Sequence, residues 1–317
     1  MTFDTALARR PAVLIGLIGE GVTPSLTPPM HEFEGARHGM HYVYRTIDLA
    51  PEEGTTASLR TLLASARRLG FNGLNITHPV KQAIIPLLDG LSESARAVGA
   101  VNTVVFTDAG AIGHNTDVTG FAAALKDAFG DERLRRVVLF GTGGAGSAVA
   151  TALAQHPIAE LVLMDQVRER ADVLADQVRA LTTAEVRAAG IDELPGLIAD
   201  TDLIVNATPV GMAAHPGTPF DSAMLPDGIR VADIVYRPAD TALLQAARAR
   251  GIRTMSGLGM AMHQAADAFE IFTGQRADRT AMLADLDDLV AAEEAAAPHP
   301  TSPDATPETA PGRGENR

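Results

Sequence analysis

Apolar residues recur along this chain with two different periods, and the switches between them outline its architecture. Val13 to Gly19 is a continuous apolar run of strand length, while His41 to Asp48 alternates as a strand with one covered face does. Leu59, Leu62, Leu63, Ala66 and Leu69 fall at helical spacing, and Gly70 supplies the stop. Further strands are predicted at Gly73 to Thr77 and Ala100 to Phe106, followed by a helix that turns Phe121 and Leu125 inward. From there the pattern predicts a strict βαβα alternation: strands end at Phe140, Met164, Asn206 and Val235, and helices centre near residues 150, 175 and 245. Such alternation specifies an α/β fold on a parallel sheet. A helix after Met260 stops at Gly274. Asp278 to Ala292 then forms a last amphipathic helix, with Met282, Leu283, Leu286, Leu289 and Val290 on one side.

The most informative junction is the one after Val137-Val138-Leu139-Phe140, where the strand runs into Gly141-Thr142-Gly143-Gly144-Ala145-Gly146 and a helix-compatible stretch follows. A strand, a glycine turn and a helix bring bare backbone N–H groups to the positive end of a helix dipole, where a pyrophosphate can sit. Glycines there often serve only a tight turn. Asp165 sharpens the reading, because a carboxylate at the tip of the next strand, roughly 20 residues downstream, accepts from the adenosine ribose hydroxyls. Ala207, Thr208, Pro209, Val235 and Tyr236 follow or end strands of the same sheet, and Gly259 lies in the turn that opens the next helix. All are expected to border the dinucleotide, since open parallel sheets bind ligands beyond their carboxyl ends.

At 317 residues the chain exceeds what one core usually holds, about 250. Two α/β domains are therefore expected. Residues 1–118 form an N-terminal, mainly parallel substrate domain, and 119–255 a doubly wound Rossmann domain. Residues 256–296 return to the first domain as helices, and 297–317, rich in Pro, Thr, Ala and charges, make a disordered tail. A net charge of −13 argues against a nucleic-acid partner, which needs a basic face to displace counterions. No apolar run reaches the ~18–20 residues of a membrane span, and Arg9-Arg10 with the apolar run after it lacks the small-residue cleavage site of an export signal. With no cysteine there is no disulfide framework. The nine histidines include no metal-ligand spacing, so no metal is expected. A cytoplasmic enzyme acting on a small molecule, monomeric or homodimeric, fits these limits.

Several polar residues sit where chemistry or plain structure could explain them. Ser25 and Thr27 precede Pro28-Pro29, which would start a helix; a carboxylate suits that geometry, and so does simple capping. In Asn75-Ile76-Thr77-His78-Pro79-Val80-Lys81 the proline is expected to open a helix with Lys81 in its first turn. The helix dipole disfavours a cation there, so Lys81 is either a catalytic amine or an ordinary surface lysine. Asp117, after Asn115-Thr116, occupies a helix N-cap position, and Asn102 starts a strand. Gln264 lies one turn beyond Met260 and faces either the cleft or solvent.

Taken together, Ser25-Leu26-Thr27-Pro28, Asn75 to Lys81, Ala100-Val101-Asn102-Thr103, Asn115-Thr116-Asp117, Gly141 to Gly146, Asn206 to Pro209 and Gly257-Leu258-Gly259-Met260 with Gln264 resemble the shikimate and quinate dehydrogenase family over residues 13 to 292. The resemblance implies that Lys81 and Asp117 are the catalytic pair. It makes Ser25 and Thr27 the hydroxyls for the substrate carboxylate, and Asn75, Thr77, Asn102, Gln264 and Tyr236 further contacts to the substrate. Asp165-Gln166 stands where the NADP-dependent biosynthetic enzymes usually carry Asn-Arg, and Thr27 stands where they usually have serine. Both departures resemble the NAD-dependent quinate/shikimate dehydrogenases, so the expected cofactor is NAD and the expected substrates are quinate and shikimate. Arg168 and Arg170 keep NADP in play. The alternatives are an NADP-dependent shikimate dehydrogenase, a relative acting on amino-substituted analogues, and a dinucleotide-binding regulator without turnover.

Overall fold

The computed structural model describes residues 11–296; the tail expected at 297–317 and Arg9-Arg10 lie outside the described residues. Two six-stranded sheets organise the rest. The first contains β1 (Ala12–Gly19), β2 (His41–Asp48), β3 (Gly73–Ile76), β4 (Gly90–Leu91), β5 (Thr103–Thr107) and β6 (Gly110–His114), in the order β2-β1-β3-β5-β6-β4. It is mixed: β1 runs parallel to β2 and β3 and β4 parallel to β6, while β3–β5 and β5–β6 are antiparallel.

Helices α1 (Thr27–Arg37), α2 (Thr56–Arg68) and α3 (Glu93–Val98) accompany this sheet, and α4 (Thr116–Phe129) leads to the second. That sheet is parallel throughout, with β7 (Leu134–Phe140), β8 (Ile158–Met164), β9 (Glu185–Ala189), β10 (Leu203–Asn206), β11 (Arg230–Asp233) and β12 (Arg253–Met255) in the order β12-β11-β10-β7-β8-β9. This is the doubly wound dinucleotide-binding order, reversing direction between β7 and β10. The helices here are α5 (Gly144–Gln155), α6 (Arg168–Arg179), the short α7 (Leu194–Leu197) and α8 (Ala242–Ala249). The long α9 (Gly257–Thr273) and α10 (Arg279–Ala296) follow.

The continuous apolar runs are strands covered on both sides. Along β7, Val137 and Leu139 enter one core with Val149 and Leu153 of α5, while Val138 and Phe140 enter the opposite core with Leu243 and Leu244 of α8. In the first sheet, Ile15 and Leu17 pack against Met30 of α1, Phe269 of α9 and Met282 and Leu286 of α10. Leu74 and Ile76 pack with Leu59 and Leu63 of α2 on the other side. The last two helices thus pack against the first sheet. No helix among the described residues is long and apolar enough to cross a membrane.

The structure departs from the sequence reading in several places. The alternation is not strict, because β10 reaches β11 through a loop whose only helical turn is the 3-10 segment Ser222–Met224. Strands β4, β6, β9 and β12 are additional; all but β6 lie at sheet edges, where only one side needs pairing. The segment after β3 is not an α-helix begun by Pro79. The Lys81 carbonyl, which a helix would give to residue 85, instead accepts from the Val101 N–H at 2.9 Å, and Ile85 bonds to Gln82.

The ends of β10 and β11 are joined by a buried carboxylate. Asp233 accepts from Asn206 Nδ2 at 2.9 Å, Val235 N–H at 3.0 Å and Thr241 Oγ1 at 2.8 Å. Burial raises its pKa above the ordinary carboxylate range against the opposing pull of those donors. A raised acid pKa means that the native state favours the proton, so this group's contribution to stability falls as pH rises from the ordinary carboxylate value through the raised one. Asp233→Asn should therefore compare more favourably with the parent at pH 7 than at pH 4 in thermal melts. Asp233→Ala, which orphans three donors, should cost ~2–4 kcal/mol.

Candidate active site

Lys81 belongs to a run of turns between β3 and the 3-10 turn Ile85–Leu87, anchored by the buried side chains of Val80 and Ile84. Its Nζ lies 2.6 Å from Asp117 Oδ2, and the two side chains keep only 18% and 10% of their exposure. A pair so far withdrawn from water is screened much less than a surface pair.

Asp117 is not the cap of α4. That role falls to Asn115, whose Oδ1 accepts from the N–H groups of Asp117 at 3.1 Å and Val118 at 3.3 Å, while its Nδ2 donates to the Ala100 carbonyl at 3.0 Å. Asparagine is as good an N-cap as aspartate, and the cap it supplies leaves the Asp117 carboxylate free in the first turn, where the helix dipole favours negative charge. The sequence carried this signal in Asn115-Thr116-Asp117, two residues before the position read as the cap.

Two buried amides stand behind the pair. Asn102 donates to Asp117 Oδ1 at 3.0 Å and Thr116 Oγ1 at 2.8 Å, and accepts from the Thr116 N–H at 2.8 Å and Thr103 Oγ1 at 3.0 Å. All its hydrogen-bonding positions are used within the chain. Asn75 donates to the Asn102 carbonyl and to Thr103 Oγ1, and accepts from the Tyr44 hydroxyl at 2.6 Å. Thr77 follows Asn75 at the end of β3, with its methyl against Gly19. Tyr44, Thr103 and Thr116 are the members of this cluster that sequence reasoning did not single out. Tyr44 lies on the alternating strand β2, where a buried tyrosine reads as core.

Ser25 and Thr27 stand together at the start of α1, where the Thr27 N–H donates to Ser25 Oγ at 3.3 Å. Gln264 lies on the face of α9 turned to α4. A Cβ at Gly120, one turn after Asp117, would come within 2.9 Å of the Gln264 Cβ, and Gln264 Nε2 donates to the Ala261 carbonyl. Gly259 packs against Ala124 of the same helix. Met260, one turn before Gln264, is buried in the core of the second domain.

The glycine turn has two kinds of glycine. Gly141, at φ +90°, lies against the Ala207 carbonyl, and a Cβ at Gly146 would fall 2.0 Å from the Gly141 oxygen, so both are set by close backbone packing. At Gly143 and Gly144 a Cβ would meet nothing within 4 Å. Gly143 caps α5 without a side chain, so the first N–H groups of that helix face open space around Ala145. These features fit a pyrophosphate. Asp165 reaches back to the turn, accepting from the N–H and hydroxyl of Thr142 at 2.8 Å each and from Val167 N–H at 3.0 Å. Burial pushes its pKa up, but the Val167 and Thr142 donors and the charge of Arg170 outweigh that and hold it below the ordinary range. Arg168 faces elsewhere, toward Asp172, Glu193 and the Ala188 carbonyl.

Beyond Gly141, Thr208 donates its hydroxyl to Asn206 Oδ1 at 2.7 Å, holding the Ala207-Thr208-Pro209 turn. Val235 backs onto Gly257, where a Cβ would come within 2.7 Å of the Val235 carbonyl carbon. Tyr236 is half-buried, and burial raises its phenol pKa. Its neighbour Arg237 donates to the Pro24 carbonyl at 2.9 Å, next to Ser25, and pairs with Glu293. The second domain is thereby tied to the loop that carries Ser25.

Residues 17–104 match the shikimate dehydrogenase substrate binding domain, 257–286 the shikimate 5'-dehydrogenase C-terminal domain, and 137–255 the saccharopine dehydrogenase NADP binding domain. The shikimate dehydrogenase (NADP(+)) of Pseudarthrobacter chlorophenolicus is 52% identical over 290 residues, 91% of this chain and 99% of that one. The quinate/shikimate dehydrogenase (NAD(+)) of Corynebacterium efficiens is 49% identical over 278 residues, 86% of this chain and 97% of that one. The structure of quinate dehydrogenase from Corynebacterium glutamicum in complex with NAD superposes with a TM-score of 0.83 at 46% identity, covering 88% of this chain and 100% of that one. The chain thus belongs to the shikimate dehydrogenase family of nicotinamide-dinucleotide oxidoreductases acting on shikimate or quinate.

Proposed function

We propose that this enzyme prefers NAD and oxidises quinate to 3-dehydroquinate and shikimate to 3-dehydroshikimate. The observation that carries the cofactor preference is the Asp165 carboxylate, held ionised at the glycine turn by Thr142 and Val167. An ionised carboxylate there has an acceptor position left for a ribose hydroxyl and repels a 2′-phosphate. Arg168, the nearby cation that would suit a phosphate, has its donors engaged by Asp172, Glu193 and Ala188. Relatives of nearly equal identity carry both cofactor names, so the preference rests on this local chemistry.

A nicotinamide dinucleotide bound at Gly143 and Gly144 supplies the hydride acceptor. The chain's own residues handle the proton and the alignment. Lys81 Nζ receives the proton of the carbinol hydroxyl or passes it on, and Asp117 keeps the amine in place. Ser25 and Thr27 hold the substrate carboxylate, with Asn75, Thr77, Gln264 and Tyr236 around the ring and Asn102 fixing Asp117 from behind.

Steady-state kcat/KM for both acids with both cofactors tests the reading. NAD should lead NADP by at least about tenfold, and Asp165→Asn should narrow that ratio, because it removes a charge repulsion. A preference for NADP would return the enzyme to the biosynthetic class. Lys81→Ala should lower kcat by about 10²–10⁴-fold with a much smaller change in KM, whereas an unchanged kcat would remove Lys81 from the proton's path.

A further inference from the structure

A file of side-chain hydrogen bonds runs from Tyr44 to Lys81, and its direction is forced at each step. The Asn102 backbone carbonyl can only accept, so the Asn75 atom 3.2 Å from it is the amide nitrogen. The other hydrogen on that nitrogen goes to Thr103 Oγ1 at 3.0 Å. Asn75 Oδ1 therefore faces the Tyr44 hydroxyl, and Tyr44 is the donor. Burial holds the Tyr44 phenol well above its ordinary pKa, so the donor stays protonated. Its ring is fixed edge-on against His31, with centroids 5.0 Å apart.

The Thr116 N–H can only donate, and it meets Asn102 Oδ1, which fixes the second amide as well. Thr103 Oγ1 already accepts from Asn75 and gives its own proton to that same Oδ1. Asn102 Nδ2 then holds Asp117, and Asp117 holds Lys81. An amide offers two donors and two acceptor positions. Asn102 has used all of them, and Asn75 has used both donors and one acceptor position.

We propose that Thr103, with Tyr44, is a specificity-determining positioning residue that leaves Asn75 a single acceptor position for the substrate, so that the site selects a ring substituent able to donate a hydrogen bond. Thr103 is fully buried and, among the described residues, is the only side chain that bonds to both amides. A hydroxyl on the ring satisfies the Asn75 acceptor. A fluorine of similar size does not, and it leaves the second acceptor position of that oxygen, the one Tyr44 does not fill, without a donor. This inference rests on the proposed activity, with Asn75 as a contact to a ring hydroxyl that is not oxidised.

The test compares shikimate with its two analogues in which C4 or C5 hydroxyl is replaced by fluorine, using kcat/KM of the full-length enzyme with NAD. The parent enzyme should favour shikimate over at least one analogue by about 100-fold or more. Thr103→Val, of the same shape without the hydroxyl, frees one Asn75 hydrogen and lets the amide turn. The ratio should fall at least tenfold, and the loss with shikimate should appear mainly in KM. Thr103→Ser should restore the parent ratio within about twofold. An unaltered ratio in a folded Thr103→Val, or Thr103→Ser behaving like valine, overturns the inference. If Thr103→Val does not fold, Tyr44→Phe must show the same relaxed ratio, and an unchanged ratio there overturns it equally. Failure of the parent enzyme to oxidise either shikimate or quinate is a different result: it removes the functional reading itself.

Discussion

The Asp117 carboxylate is the constraint on which the site depends. It is withdrawn from water in a molecule of net charge −13, and a buried anion is tolerated only when donors surround it. Lys81 and Asn102 supply those donors, one to each oxygen. The pair need not add stability, since removing two charges from water offsets much of their attraction. What the arrangement secures is position. Lys81 comes from a turn segment after β3 and Asp117 from the start of α4; Asn115 and Asn102 hold the helix end so that these separate pieces of chain meet at hydrogen-bond distance.

The same helix carries that position toward the second domain. α9 lies along α4 closely enough that a Cβ at Gly120 would collide with the Gln264 backbone, and Gly259 meets Ala124 further down. α9 itself begins against β11, where Gly257 packs on the Ile234 carbonyl. One rigid path therefore links Asp117, Gln264 and the strand ends beside the glycine turn. Arg237 forms a separate tie, from the end of β11 to the loop of Ser25. Close packing at glycine makes the junction specific: a side chain at Gly120 would push α9 off α4, and one at Gly257 would push α9 off the end of β11.

Most of the fold was legible because its strands are buried on both sides and read as unbroken apolar runs, as in Val137 to Phe140 and Leu161 to Met164. Edge strands escaped the same reading. Glu185–Ala189 alternates polar and apolar over five residues, and Arg253–Met255 has three residues, so neither carries a strong periodic signal. The candidate site residues stand in the sequence as motifs, but their local structure was not legible there. Pro79 suggested a helix start, yet the long-range bond from Val101 to the Lys81 carbonyl overrides that preference, and no local rule anticipates a partner twenty residues away. Asp117 was misassigned as a cap for a related reason, since asparagine and aspartate compete equally for that role and only the fold shows which one the helix uses. Tyr44 and Thr103 were invisible because their importance lies in which atoms they satisfy, a property of the packed state.

Asp165 is the residue on which the proposed cofactor preference rests, since overall identity leaves that property open. A carboxylate at that strand tip has two demands on it: the ribose of a bound dinucleotide, and the Thr142 N–H and hydroxyl of the turn that must meet the pyrophosphate. One oxygen serves Thr142, while the other accepts only from Val167. An ionised carboxylate has about four lone-pair positions, and Thr142 and Val167 take three, so one remains for a ribose hydroxyl without releasing the turn. A 2′-phosphate would bring negative charge against this same group and would need a cation to offset it. Arg170, whose charge already acts on Asp165, would then have to answer two anions at once. On the proposed cofactor preference, the shape of the glycine turn and the choice between dinucleotides depend on a single side chain, and a substitution at Asp165 would not change one without disturbing the other.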